Sequence, residues 1–83
     1  MGLDSLKGAR RIVTGTKQTS KAVEAGKAAQ VFVAKDADER ILRPVLEVCA
    51  SNHVPVDYAE TMEDLGKACN IKVKAAMAAI LKD

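Results

Sequence analysis

Short apolar runs alternate along this chain with amphipathic segments, and this order constrains the fold more than any other feature of the sequence. Three runs have the composition of strands: Arg11 to Thr14, Val31 to Val33, and the alternating segment Val54 to Tyr58. Turn residues and segments with apolar residues at helical spacing lie between them. Helices that alternate with strands in one small domain predict a three-layer α/β/α sandwich around a sheet of about four strands.

The helix boundaries are predicted from cap and turn residues. A short helix is expected from Leu3 to Ala9, and a second from about Lys17 to Ala25, where Gly26 is a good left-handed terminator. Because proline is tolerated only in the first turn of a helix, Pro44 places the start of the third helix near Arg43.

The last third of the chain holds a fourth helix and an ambiguous segment. Thr61 and Asp64 have the spacing of a capping box, which opens a helix that runs through Cys69. The following segment, IKVKAAMAAILK, is rich in alanine, which favours a helix, whereas the alternating order of elements favours another strand. Its local pattern leaves both structures open.

Length, composition and charge limit the functional classes. The 83 residues suffice for one compact domain, so residues 1–83 are interpreted as a single domain. One Phe, one Tyr and no Trp argue against RNA modules that stack several bases on exposed rings. The net charge of +2 is mild, but the cations cluster in segments 7–27 and 67–74. Since neither a membrane span nor a signal peptide is evident, we expect a cytoplasmic protein without membrane contact.

No group of residues in the sequence points to an enzyme. His53 lies four residues after Cys49, but it falls in an expected surface turn, where capping or solvent exposure is favoured over catalysis. Cys49, His53 and Cys69 lack the paired spacing of a zinc site, and buried free thiols are the preferred interpretation of the cysteines. The acids of segment 36–39 are more typical of a helix cap. We therefore expect no catalytic residue, no metal and no cofactor.

The segment GTKQTSK joins the first strand to the second helix and carries the first candidate binding residues. Gly15 permits a sharp turn, and Thr16 is a candidate N-cap that would leave the amides of residues 17–19 as unpaired donors. Lys17 and Lys21 add charge on one side of the helix, and Gln18 can donate to and accept from a base edge. The arrangement suits a phosphate-bearing partner, although a solvated helix start with ordinary surface lysines has the same pattern.

The second candidate segment is NIKVKAA, which follows the fourth helix. Ile71 and Val73 alternate here with Lys72 and Lys74. The alternation fits the start of a strand, and it also fits a loop that offers an apolar contact between two cations to an unstacked base and its phosphates.

Together these segments resemble the kink-turn RNA-binding ribosomal protein family, which is typified by the archaeal large-subunit protein called "seven-Ae". The likeness is greatest to the small bacterial members. It runs in order through GTKQTSKAVEAGKA, VFVAKDAD, a helix that ends before VPV, and LGKACNIKVKAA, of which GTKQT and LGKAC are the more specific parts. The resemblance implies a mixed four-stranded sheet between helices, a strand at VKAAMAAIL, and no catalytic activity.

The resemblance also implies a binding site. Members of this family grip RNA with a sharp kink beside tandem sheared G·A pairs, and the helix start would enter the groove at those pairs. Lys17 and Gln18 stand where many relatives carry Asn and Glu, and Lys21 stands at a matching basic position. The loop Ile71 to Lys74 would cover the unstacked nucleotide, and Asp38 falls near a family acidic position that approaches the same region.

Two departures from the family pattern affect the loop. Asn70 stands where a glycine is usual, and because Asn tolerates a left-handed backbone the turn should be retained. Lys72 and Lys74 replace residues that are often acidic or small, which should strengthen the attraction to phosphates.

We therefore predict a monomeric, non-catalytic RNA-binding protein that recognises kink-turn RNA and stabilises its bent form in a ribonucleoprotein. The partner would be a structured RNA, either ribosomal or a riboswitch, and the ribosome is a candidate assembly. A second hypothesis is a protein-interaction module whose basic patches dock on a ribosomal or regulatory protein.

Overall fold

The computed structural model describes residues 2–82, and over that range helices and strands alternate. In chain order they are α1 (Gly2–Gly8), β1 (Ile12–Thr14), α2 (Thr16–Glu24), β2 (Ala28–Ala34), α3 (Glu39–Ser51), β3 (Val56–Ala59), α4 (Met62–Ala68) and β4 (Met77–Leu81). The strand order is β1-β4-β2-β3, in which β2 and β3 are parallel and β4 is antiparallel to both β1 and β2. The predicted α/β sandwich with a mixed four-stranded sheet is confirmed.

Alternate side chains of the inner strand β2 enter two separate layers of helices. Val31 and Val33 pack with α2 and α3, whereas Phe32 and Ala34 pack with α1 and α4. All four side chains are fully buried. Because both faces of the sheet are covered, β2 has a continuous apolar run instead of an alternation of apolar and polar residues.

Three helices end in the same hydrogen-bonded motif, each with a residue of left-handed backbone conformation. These residues are Gly26, His53 and Asn70, with φ values of 72°, 57° and 62°. In each case the next amide donates to the carbonyl five residues earlier, which closes the last turn: Lys27 to Ala22 at 2.9 Å, Val54 to Cys49 at 2.9 Å, and Ile71 to Gly66 at 3.1 Å. The left-handed conformations predicted for Gly26 and Asn70 are confirmed, and the exposed His53 lies in a turn, as expected.

The helix α3 begins earlier than predicted and contains Pro44 in its interior. The Asp38 carboxylate accepts a hydrogen bond from the Arg40 amide at 2.8 Å and caps a helix that starts at Glu39, not near Arg43. Pro44 lies on the exposed side of the helix. Because proline has no N–H, the carbonyl four residues earlier lacks its helical partner, and water can reach it there. The cap and the buried face of α3 therefore outweigh the disturbance from the proline.

The ambiguous last segment forms a loop and then a strand. Residues 77–81 pair with both β1 and β2, so the strand implied by the resemblance exists, but it begins only at Met77. The preceding residues are held against α4 instead, since the Ala75 amide donates to the Met62 carbonyl at 3.1 Å. Burial of Ala78 and Ala79 between the helical layers outweighs the helix propensity of the alanines.

The cap of α4 and the buried thiol of Cys49 agree with expectation. The Thr61 hydroxyl accepts from the Asp64 amide at 3.0 Å, as the capping spacing predicted, and α4 ends one residue before Cys69. Cys49 is a buried free thiol, whereas Cys69 is only half-buried. Burial raises the pKa of both thiols, so both stay protonated near neutral pH.

Candidate nucleic-acid interface

The segments that carry the predicted binding residues emerge at one end of the sheet. Thr14, at the end of β1, pairs with Ala78, and Val33, near the end of β2, pairs with Met77. The chain therefore leaves β1 and β2 at the same end at which it enters β4. The segments concerned are Gly15 to Lys21, the turn that contains Asp38, and the loop Ile71 to Lys74.

Gly15 joins the start of α2 to the first residue of β4, which follows the loop, and it caps α2. Its amide donates to the Met77 carbonyl at 3.0 Å, and its carbonyl accepts from the Thr19 amide at 3.0 Å. Its backbone angles, φ 92° and ψ 159°, belong to a region that is nearly reserved for glycine. The prediction that Thr16 is the N-cap is wrong: Thr16 is the first helical residue, and Gly15 precedes it without any side-chain cap.

The free donors at the start of α2 are the amides of residues 16–18, one residue earlier than predicted. The Thr19 amide is already bonded within the helix, because the cap lies at Gly15. Lys17, Gln18 and Lys21 are exposed, and the two lysines lie one turn apart on the same side. Since the first turn of α2 carries no acidic residue, its free amides and lysines form a surface that attracts anions.

The loop of residues 71–74 lies directly on α4 at Gly66. A Cβ atom at Gly66 would overlap the Val73 carbonyl oxygen and lie 3.3 Å from the Lys74 Cα. The glycine in LGKAC is therefore required by close packing. This positioning role of Gly66 was not predicted from the sequence, although a signal was present: glycine inside a helix costs about 1 kcal/mol relative to alanine and usually has a packing reason.

The same loop presents an apolar side chain between two cations. Ile71 packs partly into the core beside α1 and α4, whereas Val73 is 70% exposed, and Lys72 and Lys74 are exposed as well. The loop residues and two residues of α4, Glu63 and Lys67, line a groove of about 560 Å³. The alternation of this segment thus belongs to a loop, and its interpretation as the start of a strand is wrong.

The carboxylate of Asp38 is engaged within the protein. It accepts hydrogen bonds from the Arg40 side chain, at 3.3 Å from Nε and 2.9 Å from Nη2, in addition to the Arg40 amide. The Arg40 side chain and then its amide hold the pKa of Asp38 below its usual value. Asp36 accepts from the Met62 amide at 2.8 Å, which ties this turn to α4. The prediction that these acids cap the following helix is confirmed for Asp38, whereas Asp36 bonds to the first residue of α4 instead. An RNA contact by Asp38 stays a prediction.

Within residues 2–82, no cluster of three or more His, Cys, Asp or Glu side chains could hold a metal ion. None of the helices described there has the length and apolar character needed to cross a membrane.

Comparison with known proteins agrees with this geometry. The profile of the Ribosomal protein L7Ae/L30e/S12e/Gadd45 family matches residues 2–83. An RNA-binding protein of Geobacillus thermodenitrificans is 45% identical over 82 residues, which cover 99% of this chain and 100% of that protein. The RNA-binding protein YbxF of Geobacillus stearothermophilus is 44% identical with the same coverage, 99% and 100%.

A solved structure shows the same fold. The 15.5kD RNA binding protein of Giardia lamblia has a TM-score of 0.87 to this chain at 32% identity, covering 98% of this chain and 71% of that one. The similarity extends through both segments that were singled out from the sequence, since nearly the whole chain is matched. The chain therefore belongs to the Ribosomal protein L7Ae/L30e/S12e/Gadd45 family.

Proposed function

We propose that this protein is a non-catalytic RNA-binding protein that recognises kink-turn RNA and stabilises its bent form. The observation that carries the proposal is the hydrogen bond from the Gly15 amide to the Met77 carbonyl, which holds the start of α2 beside the beginning of β4, where the loop of residues 71–74 enters the sheet. Free amides, lysines and an exposed valine therefore share one end of the sheet. The relatives described above, which are named as RNA-binding proteins, support RNA as the partner.

The interface suits a bent RNA because bending brings phosphates close together. Lys17 and Lys21 on α2 and Lys72 and Lys74 on the loop supply four positive charges to offset that repulsion. These charges give affinity without sequence information, whereas Gln18 can bond to base edges at the G·A pairs. The exposed valine of the loop would cover a nucleotide that has left the stack. If the protein binds only the bent form, binding shifts the equilibrium between straight and bent RNA toward the bent form.

A fluorescence-transfer titration tests this proposal. A kink-turn RNA carries a donor and an acceptor at its two ends, and the matched control RNA lacks the G·A pairs. We expect transfer to rise with added protein for the kink-turn RNA only, together with tight binding of that RNA. Equal, weak binding to both RNAs with no change in transfer would contradict the proposal and leave the protein-interaction hypothesis in first place.

A further inference from the structure

A second basic surface lies at the opposite end of the sheet, where β1 and β2 begin and β4 ends. The Leu81 amide donates to the Arg11 carbonyl at 3.0 Å, and the Lys82 amide donates to the Lys27 carbonyl at 2.8 Å. These bonds bring Arg11, Lys27 and Lys82 around a groove of about 310 Å³, which Gly26 and Leu81 complete. We refer to this site as the distal groove.

The backbone of the distal groove is fixed by the fold, although its charged side chains are exposed. Gly26, with φ 72°, ends α2 and turns the chain into β2, so that Lys27 immediately precedes the sheet. Lys82 follows β4 directly, and Arg11 directly precedes β1. Three cations from three different segments therefore have a spacing that sheet pairing determines.

The chain segments that form this end carry more basic than acidic residues. Arg10 adds a fourth cation in the sequence, and the nearest acids along the chain are Glu24 and Asp83. The lining residues include no aromatic side chain to stack on a base and no amide side chain to read a base edge. The groove therefore suits phosphates and is unsuited to sequence-specific contact.

The distal groove and the kink-turn interface lie at opposite ends of the sheet. The seven residues of β2 separate the two ends of the sheet, a distance of about 23 Å at the usual rise per residue. Because exposed charges are screened beyond about 8 Å at physiological salt, the two surfaces act independently.

We propose that the distal groove binds the phosphate backbone of a second, double-helical RNA segment, so that one protein joins a bend to a neighbouring helix. The first of these two contacts rests on the proposed kink-turn function. The second contact requires only the three cations of the groove.

Binding of a plain RNA duplex to protein that is already saturated with kink-turn RNA tests the second contact. The protein is first saturated with unlabelled kink-turn RNA that has short arms, and a fluorescein-labelled plain RNA duplex is then added while anisotropy is measured. The neutral variant carries R11Q, K27Q and K82Q, and the matched control carries the charge-conserving changes R11K, K27R and K82R. Thermal unfolding of all three proteins shows that the exposed substitutions leave the fold intact.

We expect the plain duplex to bind the saturated wild type and the charge-conserving control. For about three phosphate contacts, a threefold rise in salt should lower this affinity roughly 20-fold. The neutral variant should lose at least about tenfold in duplex affinity while its kink-turn affinity stays within about twofold of wild type. Failure of the duplex to bind the saturated protein would overturn the inference, as would equal binding by the neutral variant.

The outcomes also separate this inference from the proposed function. If kink-turn RNA binds no better than plain RNA, the proposed function fails, and the duplex is then titrated into the free protein. If the neutral variant loses duplex binding and a variant with K17Q and K21Q keeps it, the result would still support duplex binding at the distal groove. Equal losses for both sets of substitutions would overturn it.

Discussion

The two halves of the proposed interface are held in place in different ways, although each depends on a glycine. The start of α2 is a regular helix fixed by the backbone conformation of Gly15, whose φ is +92° and around which a Cβ would meet nothing within 4 Å. The loop of residues 71–74 is irregular and is fixed by contact with Gly66, where a Cβ would overlap the Val73 carbonyl. One half thus requires glycine for its torsion angles and the other for its small size.

Substitution of Gly66 should give the largest effect. Gly66→Ala forces the loop away from α4, and overpacking of this kind should lower the free energy of unfolding by about 3 kcal/mol. Urea unfolding measures the loss, and fluorescence transfer should show a parallel loss of kink-turn binding.

The matched control is Gly8→Ala, since a Cβ there would meet nothing within 4 Å and its φ is not positive. This control should be neutral or slightly stabilising. If Gly66→Ala unfolds at the same urea concentration as Gly8→Ala, close packing does not position the loop.

Substitution of Gly15 should give the next largest effect, through backbone strain alone. Gly15→Ala places a Cβ in a conformation that costs about 1–3 kcal/mol for residues other than glycine, so we expect a loss of about 2 kcal/mol in urea unfolding. A stability equal to that of wild type would mean that the start of α2 relaxes to another conformation. The amide spectrum of Met77 and Thr19 would then change as well.

Substitution of one pair of lysines in each half compares how much the start of α2 and the loop contribute to RNA binding. K17A with K21A should lower kink-turn affinity about tenfold and reduce the salt slope by about two, because these cations lie beside the free amides of the helix start. K72A with K74A should weaken binding by a smaller factor.

A control that removes two charges elsewhere, K7A with K27A, should leave the affinity for short-armed kink-turn RNA nearly unchanged. Titrations at several salt concentrations provide the comparison. A larger loss from the loop pair than from the helix pair would place the dominant phosphate contacts on the loop.

The smallest expected effect concerns the apolar contact of the loop. Because Val73 is 70% exposed, Val73→Ser should change the free energy of unfolding by less than about 0.5 kcal/mol. Loss of its apolar cover over an unstacked nucleotide should lower kink-turn affinity about threefold, or roughly 0.7 kcal/mol. Unchanged affinity in an anisotropy titration would remove Val73 from the interface.

The features of the fold that depend on residues close together in the chain were predicted correctly from the sequence. The apolar run of β2, the left-handed end of α2 at Gly26 and the Thr61 cap of α4 depend on residues close together in the chain. The errors at Thr16 and Pro44 arose where two local preferences competed. The torsion of Gly15 prevailed over a threonine cap, and the Asp38 cap prevailed over the restriction that proline imposes.

The remaining features depend on contacts between separate elements, which a local pattern does not contain. β4 is a strand because it pairs with β1 and β2. The local pattern left helix and strand open, the alternating order of elements favoured a strand, and the resemblance to a known family decided for it. Gly66 is required because the carbonyl of Val73 lies on it. The candidate binding residues were found as two separate segments, and the sheet brings both to one end. Their contacts with RNA stay predictions.

An amide-resolved titration of isotope-labelled protein with short-armed kink-turn RNA tests most directly whether the two halves form one interface. We predict that the amides of residues 15–21 and 71–74 shift together and saturate at one RNA per protein, while those of Arg11, Lys27 and Lys82 stay unchanged. Shifts confined to one segment, or shifts of equal size at both ends of the sheet, would contradict a single kink-turn interface.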